Sequence, residues 1–355
     1  MFLLIDYGLA TAKTFLVDSS GHYLLNEIPL GFSAFTKISI QDSFLYILAR
    51  VQELTGVSLL KDQKPICPVY AVGEVASIKL KEIVSGEIEN PTTLLKESDL
   101  PIIAVNKEAA LVGQDIFRGE IEPGAVALWL PFQINESEIA NYQANARYYS
   151  QTVPYTPRDL ELEYAVARAK IEKALEGKLI SVGEVYITGG ILTHSPKPQL
   201  TFLTILNGIT FDTPLKIIMD KEQVLLSFSL MKKYSPSDYN LLWEKEKGSL
   251  SVLGTAIRVA GNTLVDILVE GQSESQQISP APESLMMFPL GSGQKARIKL
   301  GKGKEFIVEG GTVGLVFDAR ARPIKLPVNG KERRDNIRNW NIACSAHGEV
   351  PEIWI

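Results

Sequence analysis

The sequence is poor in the residues that build metal centres and redox sites. Its 355 residues include 2 cysteines and 3 histidines. Cys67 and Cys344 lie far apart and form no metal-type spacing, so structural zinc is not expected and a reducing compartment suits the chain best. His22, His194 and His347 are equally scattered. A large charge excess of either sign is lacking as well. The formal net charge of -5 creates no global basic field for nucleic acid or anionic lipid. No apolar run approaches the roughly 18 residues that span a bilayer. The opening Met1-Phe2-Leu3-Leu4-Ile5-Asp6 lacks a basic region, and Asp6 ends its apolar run, so a signal peptide is not expected. No serine elbow, Walker lysine, Cys-x-x-Cys or His-x-x-x-His pair is present, and no catalytic residue is assigned. These absences predict a soluble cytoplasmic protein with no nucleic-acid and no membrane partner.

What is present is ordinary globular material. Hydrophobic residues make up 45% and charged residues 22%, which is enough to build a core, and the length predicts two or three domains. Phe2 to Ile5, Thr14 to Val17 and His22 to Leu25 read as strands around Gly8 and the turn at Ser19-Ser20-Gly21. Phe44, Leu48, Val51 and Leu54 recur at helical spacing before Gly56. Helices are predicted over 106–117, 158–175, from about 199, over 248–259 and over 331–344. Strands are predicted over 68–72, 125–130, 182–187 and 215–219. Beyond Gly261 short strands split by glycine and proline predict a separate β-rich module.

Two motifs carry candidate chemistry. In Asp6-Tyr7-Gly8-Leu9-Ala10-Thr11-Ala12-Lys13 a strand ends in an acid, and a glycine and a lysine follow. Such a hairpin can face phosphate oxygens with backbone N–H groups, hold a hydrated magnesium ion through Asp6 and meet a phosphate with Lys13. On residue types alone, a plain β-turn with an exposed acid and base is the preferred reading of this stretch. Thr188-Gly189-Gly190 lies at a strand end before a helix, where paired glycines admit a planar ligand or simply form a loop. The stretch with Lys295, Arg297, Lys299, Lys302 and Lys304 is basic, but without interleaved aromatics it reads as a solvated strand face.

The order of these pieces resembles an actin/heat-shock/hexokinase ATPase. The Asp6 hairpin looks like that superfamily's first phosphate loop. Asn106-Lys107-Glu108-Ala109-Ala110-Leu111 is similar to its first connecting helix, Val185 to Gly190 to its adenosine motif and Leu253-Gly254-Thr255-Ala256 to its second connecting helix. Within the superfamily the chain resembles the glutamate mutase L family. The resemblance is carried by Thr188 to Pro196, Phe288 to Arg297 and Glu309 to Pro323. It implies a two-lobed α/β fold of the ribonuclease H-like, actin-like kind, with lobes at 1–130 and 131–262 and a β-rich module with a terminal helix at 263–355. It also implies adenine nucleotide, ATP or ADP with Mg, at Asp6, Gly8, Thr11, Lys13, Thr188, Gly189 and Gly190. Asp6 would hold the metal through water. The family's role implies a protein partner, a cobalamin-dependent mutase, and a chaperone-like task.

The sequence departs from the pattern where phosphate should bind. Leu9 and Ala10 stand where the family has hydroxyl residues, and Pro131-Phe132-Gln133 follows the strand expected to open the second phosphate loop. Proline offers no N–H and phenylalanine no metal ligand. A degenerate, non-hydrolysing protein is therefore expected. An active ATPase or small-molecule kinase, with Asp6 and Asp318 as acids to examine, and an actin-like scaffold of the type IV pilus kind remain alternatives.

Overall fold

The computed structural model describes residues 1–7, 11–17, 23–29, 40–72, 88–89, 91–107, 109–148, 153–301 and 303–345. The chain forms two compact units, Met1–Ser98 with Gln223–Gly248 and Asp99–Glu222 with Ser249–Ile355. Among the described residues, no helix is long and apolar enough to cross a membrane.

The first unit opens with an antiparallel meander of β1 (Phe2–Tyr7), β2 (Thr11–Val17) and β3 (Tyr23–Pro29). Helix α1 (Ile40–Thr55) follows. Its Phe44, Ile47, Leu48 and Val51 fall on one face and are fully buried. Gly56, at φ +70°, ends it by donating its N–H to Gln52 O at 2.9 Å. A small hairpin of β4 (Leu60–Lys61) and β5 (Lys64–Pro65) leads to β6 (Val69–Val72), β7 (Ile88–Glu89) and α2 (Pro91–Lys96). Strand β6 lies parallel to β1 and β7 parallel to β6, which gives the order β3-β2-β1-β6-β7.

The second unit repeats that plan. Strands β8 (Ile102–Val105), β9 (Ala109–Val112) and β10 (Asp115–Arg118) form an antiparallel meander. Helices α3 (Pro123–Ala127), α4 (Glu136–Tyr148) and α5 (Pro157–Leu175) follow. Thr156 and Asp159 form a reciprocal capping box at the start of α5. After the short β11 (Leu179–Ile180) comes β12 (Glu184–Thr188), parallel to β8, then α6 (Gly190–Thr193) and α7 (Pro198–Gly208). The short β13 (Thr210–Phe211) precedes β14 (Leu215–Met219), which is parallel to β12. The order β10-β9-β8-β12-β14 thus matches β3-β2-β1-β6-β7 strand for strand.

The chain then returns to the first unit with α8 (Leu225–Tyr234), which packs on β1, and α9 (Pro236–Glu246). It re-enters the second unit with β15 (Ser251–Arg258), which extends the large sheet beside β14. Strands β16 (Val265–Val269), β17 (Gln276–Ile278), β19 (Lys295–Leu300) and β20 (Lys304–Glu309) form a separate antiparallel sheet, order β17-β16-β19-β20. Strands β18 (Leu285–Phe288) and β21 (Gly314–Asp318) complete the large sheet, and α10 (Gly330–Ala343), capped by Asn329, ends the described fold.

Three expected elements differ. Where a helix was expected over 106–117, residues 109–117 are two strands joined by a turn. Ala109 to Val112 are buried on both faces, so they lack the alternation that marks a strand. The strand expected at 125–130 is helix α3, which Pro123 opens at its first turn. The small-residue helix expected at 248–259 is β15. Gly254 is small there because a Cβ would lie 2.8 Å from Gly314 O and 3.0 Å from the Phe202 ring.

Candidate functional site

Parallel strands gather their carboxyl ends on one edge of a sheet, where α/β proteins bind ligands. In the second unit those ends belong to β8, β12 and β14. They bring together the β8–β9 hairpin, Thr188-Gly189-Gly190 and Asp220. Asp220 is fully buried and accepts a hydrogen bond from Thr188 Oγ1 at 2.9 Å, so the polar pair ties the ends of neighbouring strands. Sequence reading missed Asp220. The signal was an acid directly after the apolar run Leu215 to Met219.

Gly189 has a packing reason to be glycine. Its φ is +91°, and a Cβ there would lie 2.5 Å from Val105 O. The backbone approach is therefore to the end of β8. Gly190 starts α6, and its Cβ position lies 3.7 Å from His194 Nδ1. Of the first motif, β1 carries Asp6, and β2 carries Thr11 and Lys13. Asp6 and Lys13 are direct register partners across the hairpin. Gly8 lies outside the described residues.

The duplicated sheet permits a register comparison of the two hairpins. Four residues separate the pair Tyr7↔Ala12, and four separate Val105↔Ala110. Ala104 therefore occupies the place of Asp6, and Leu111 that of Lys13. At the register position of Asp6 the second hairpin has an alanine, and Glu108 in its turn lies outside the described residues. Pro131 is not part of it. Pro131 and Phe132 are half-buried after α3, with the Arg158 guanidinium 5.2 Å from the Phe132 ring centroid. The loop expected at Pro131 does not follow a strand, because Ala125 to Ala127 belong to α3.

That turn is held from several sides. Ala109 N donates to Asn106 Oδ1 at 2.7 Å, and Asn106 N donates to Ala109 O at 3.0 Å. The Lys107 ammonium pairs with Glu163 of α5 and lies 5.8 Å from the Tyr142 ring centroid. Tyr142 OH donates to Glu163 Oε1 at 3.2 Å, and Lys170 Nζ donates to Lys107 O at 2.6 Å. Glu163 and Lys170 are two helical turns apart and so share one face of α5. Burial lowers the Lys107 amine to about 8 and raises the Tyr142 phenol, which stays a donor.

Among the described residues of this turn, the side chains do not fit a magnesium-bound phosphate. Ala104 has no carboxylate, Asn106 Oδ1 is engaged by its own turn and Lys107 is paired with Glu163. Asp318, an acid singled out from sequence, is also engaged. Arg320 grips both its oxygens, with Nε to Oδ1 at 3.0 Å and NH2 to Oδ2 at 2.9 Å, and Arg322 pairs with Oδ2. Burial alone would raise the Asp318 carboxyl, but Arg320 and then Arg322 outweigh it and hold it low.

Glu161, on the buried side of α5, behaves in the opposite way. Burial raises its carboxyl to about 8, opposed by Lys197. The folded chain then binds a proton between pH 4.5 and 8 that the unfolded chain releases. Stability from this group is fully present below about 4.5 and is lost as pH rises through about 8, with a slope approaching 1.4 kcal/mol per pH unit. Glu161→Gln should flatten this dependence in urea unfolding across that range. An unchanged slope would refute the assignment.

The basic stretch near 295–304 is locally neutralised. Register places Lys299 between Asp266 and Glu305, and Lys295 opposite Glu309. Arg297 Nε lies 3.2 Å from Glu305 Oε1. These are side chains of a solvated strand face.

The class defined by this architecture is mixed α/β, with the ribonuclease H-like sheet of the actin-like proteins present twice. Neither a protein-family model nor a curated protein matches the sequence. Solved structures resemble it at low identity. Component A of the (R)-2-hydroxyglutaryl-CoA dehydratase of Acidaminococcus fermentans is 10% identical, with 59% of this chain and 91% of that one covered and a TM-score of 0.33. The activator of the 2-hydroxyisocaproyl-CoA dehydratase from Clostridium difficile, with bound ADPNP, is 10% identical over 70% and 97%, with a TM-score of 0.36. A ROK family glucokinase from Streptomyces griseus, in complex with glucose and AMPPNP, is 12% identical over 58% and 88%, with a TM-score of 0.30. At these identities and scores the likenesses assign no residue a role.

Proposed function

We propose that this chain is a non-hydrolysing actin-fold protein that acts as a chaperone-like or regulatory partner of another protein in the cytoplasm. In this reading it binds adenine nucleotide at most weakly. The observation that carries the reading is the asymmetry of the paired hairpins. Where the first has Asp6, the second has Ala104, and its turn is tied to α5. Phosphoryl transfer is mostly positioning by metal and backbone donors around the phosphates, and among the described residues the second hairpin offers no carboxylate in the place of Asp6. The glutamate mutase L resemblance makes a cobalamin-dependent mutase the first partner to examine.

Two measurements test this. Phosphate release from ATP with magnesium should not exceed that of Asp6→Ala, and calorimetry should give ATP and ADP affinities within a few-fold of each other. Turnover above background that Asp6→Ala abolishes would overturn the reading in favour of an active ATPase or kinase. So would a strong, magnesium-dependent preference for ATP.

A further inference from the structure

Most bases around the smaller sheet are matched by acids. Arg297 pairs with Glu305, and Lys216 lies between Glu184 and Glu309. The neutralisation stops at Lys304, an exposed residue at the start of β20 whose register partner is Leu300. It makes no ion pair among the described residues. Neither does Arg258, the last residue of β15. Its Nη1 donates to Phe211 O at 3.3 Å, and its register partner is Asp318, whose oxygens are taken by Arg320 and Arg322. The Arg258 guanidinium instead faces another cation. Burial first, and then the charges of Arg320 and Arg258, lower Arg322 to about 10 against the pull of Asp318. One acid nearby is unmatched as well. Asp212, exposed between β13 and β14, has neither an ion pair nor a hydrogen bond among the described residues.

These three side chains line one cleft of about 240 Å³. Its apolar lining comes from Ile257, Leu300 and Phe306, which form or pack against the core beneath the smaller sheet. At about 30 Å³ per water, the cleft holds about eight waters, the scale of one amino acid and too small for a nucleotide. Two bases can share the two oxygens of one carboxylate, and the acid then calls for a cation on the same ligand. The apolar lining calls for a hydrocarbon side chain.

We propose that this cleft binds a free α-amino acid with an apolar side chain. The ligand carboxylate meets Arg258 and Lys304, its ammonium meets Asp212, and its side chain lies against Ile257, Leu300 and Phe306. The cleft is made within the second unit alone. It lies before the start of β14, whereas Asp220 follows the end of that strand, so the site stands whether or not the hairpins bind phosphate.

Valine and leucine are the probes, with isovalerate and isobutylamine as valine without its ammonium and without its carboxylate. Calorimetry on the full chain should show binding of at least one amino acid, weakened at least about tenfold for either truncated compound. Arg258→Gln should abolish binding. Because Arg258 also holds Phe211 O, the exposed Asp212→Asn and Lys304→Met keep the test open if that variant fails to fold. Lys304→Met should weaken the amino acid at least about tenfold. Asp212→Asn should weaken it as much while leaving isovalerate no weaker than before, which a general loss of structure would not do. Binding of neither amino acid, isovalerate or isobutylamine bound as tightly as valine, or unchanged affinity in Asp212→Asn or Lys304→Met would each overturn the proposal.

Discussion

Asp318→Ala is expected to cost the second unit about 3–5 kcal/mol of unfolding free energy, more than any surface substitution. Asp318 is fully buried at the end of β21 and is shared by two buried guanidiniums. Arg320 NH1 also reaches Asn207 Oδ1 at 2.7 Å, and its guanidinium lies 4.7 Å from the Trp340 ring centroid. Arg322 NH1 donates to Leu206 O at 2.6 Å and Ile209 O at 3.0 Å. The cluster thus joins β21 to α7 and α10. Removing the acid leaves two positive charges in the core with no anion, and desolvation makes that cost large. Urea unfolding followed by tryptophan fluorescence measures it. A loss below about 1 kcal/mol would mean that the arginines find water or another acid, and that the ion cluster is not what holds β21 in place.

The same cluster shows what the sequence could convey and what it could not. Asp318, Arg320 and Arg322 were visible as charges in an apolar context, but their mutual burial depends on α7, more than a hundred positions earlier in the chain. Local patterns fared better. The strand before Thr188-Gly189-Gly190, the capped helix over 157–175 and the terminal helix over 330–343 were legible because caps, glycines and periodicity lie within a few residues of one another. The β8–β9 hairpin was not legible. Its Ala-Ala-Leu-Val run is buried on both faces and contains good helix formers, so neither period 2 nor period 3.6 marks it. The duplication of the sheet was hidden for a related reason. Ala104 and Asp6 are equivalent only through strand pairing, and no residue identity links them. The loop expected at Pro131 rested on a strand over 125–130, where the structure has α3 at Pro123–Ala127.

Glu163→Gln is expected to destabilise the second unit by about 3 kcal/mol or more and to release the β8–β9 hairpin. The wild-type carboxylate receives the Lys107 ammonium and the Tyr142 hydroxyl, and both acid and base are largely buried. With glutamine the ammonium keeps only a neutral oxygen, and burial, which already lowers Lys107 to about 8, drives it further towards the uncharged form. Lys107→Met should cost a similar amount, because it leaves the carboxylate with a single phenolic donor. The double variant should lose distinctly less than the sum, by about 2 kcal/mol, since neither charge is then left unmatched. Hydrogen exchange separates this from a general loss of packing. Amides of Ala109 to Val112 should lose protection in either single variant and regain much of it in the double, while α7 amides should follow global unfolding throughout. Strict additivity, or an unchanged exchange pattern in the hairpin, would show that the pair is a bystander. Coupled loss would show instead that the hairpin keeps its shape through an internal ion pair that ties its turn to α5.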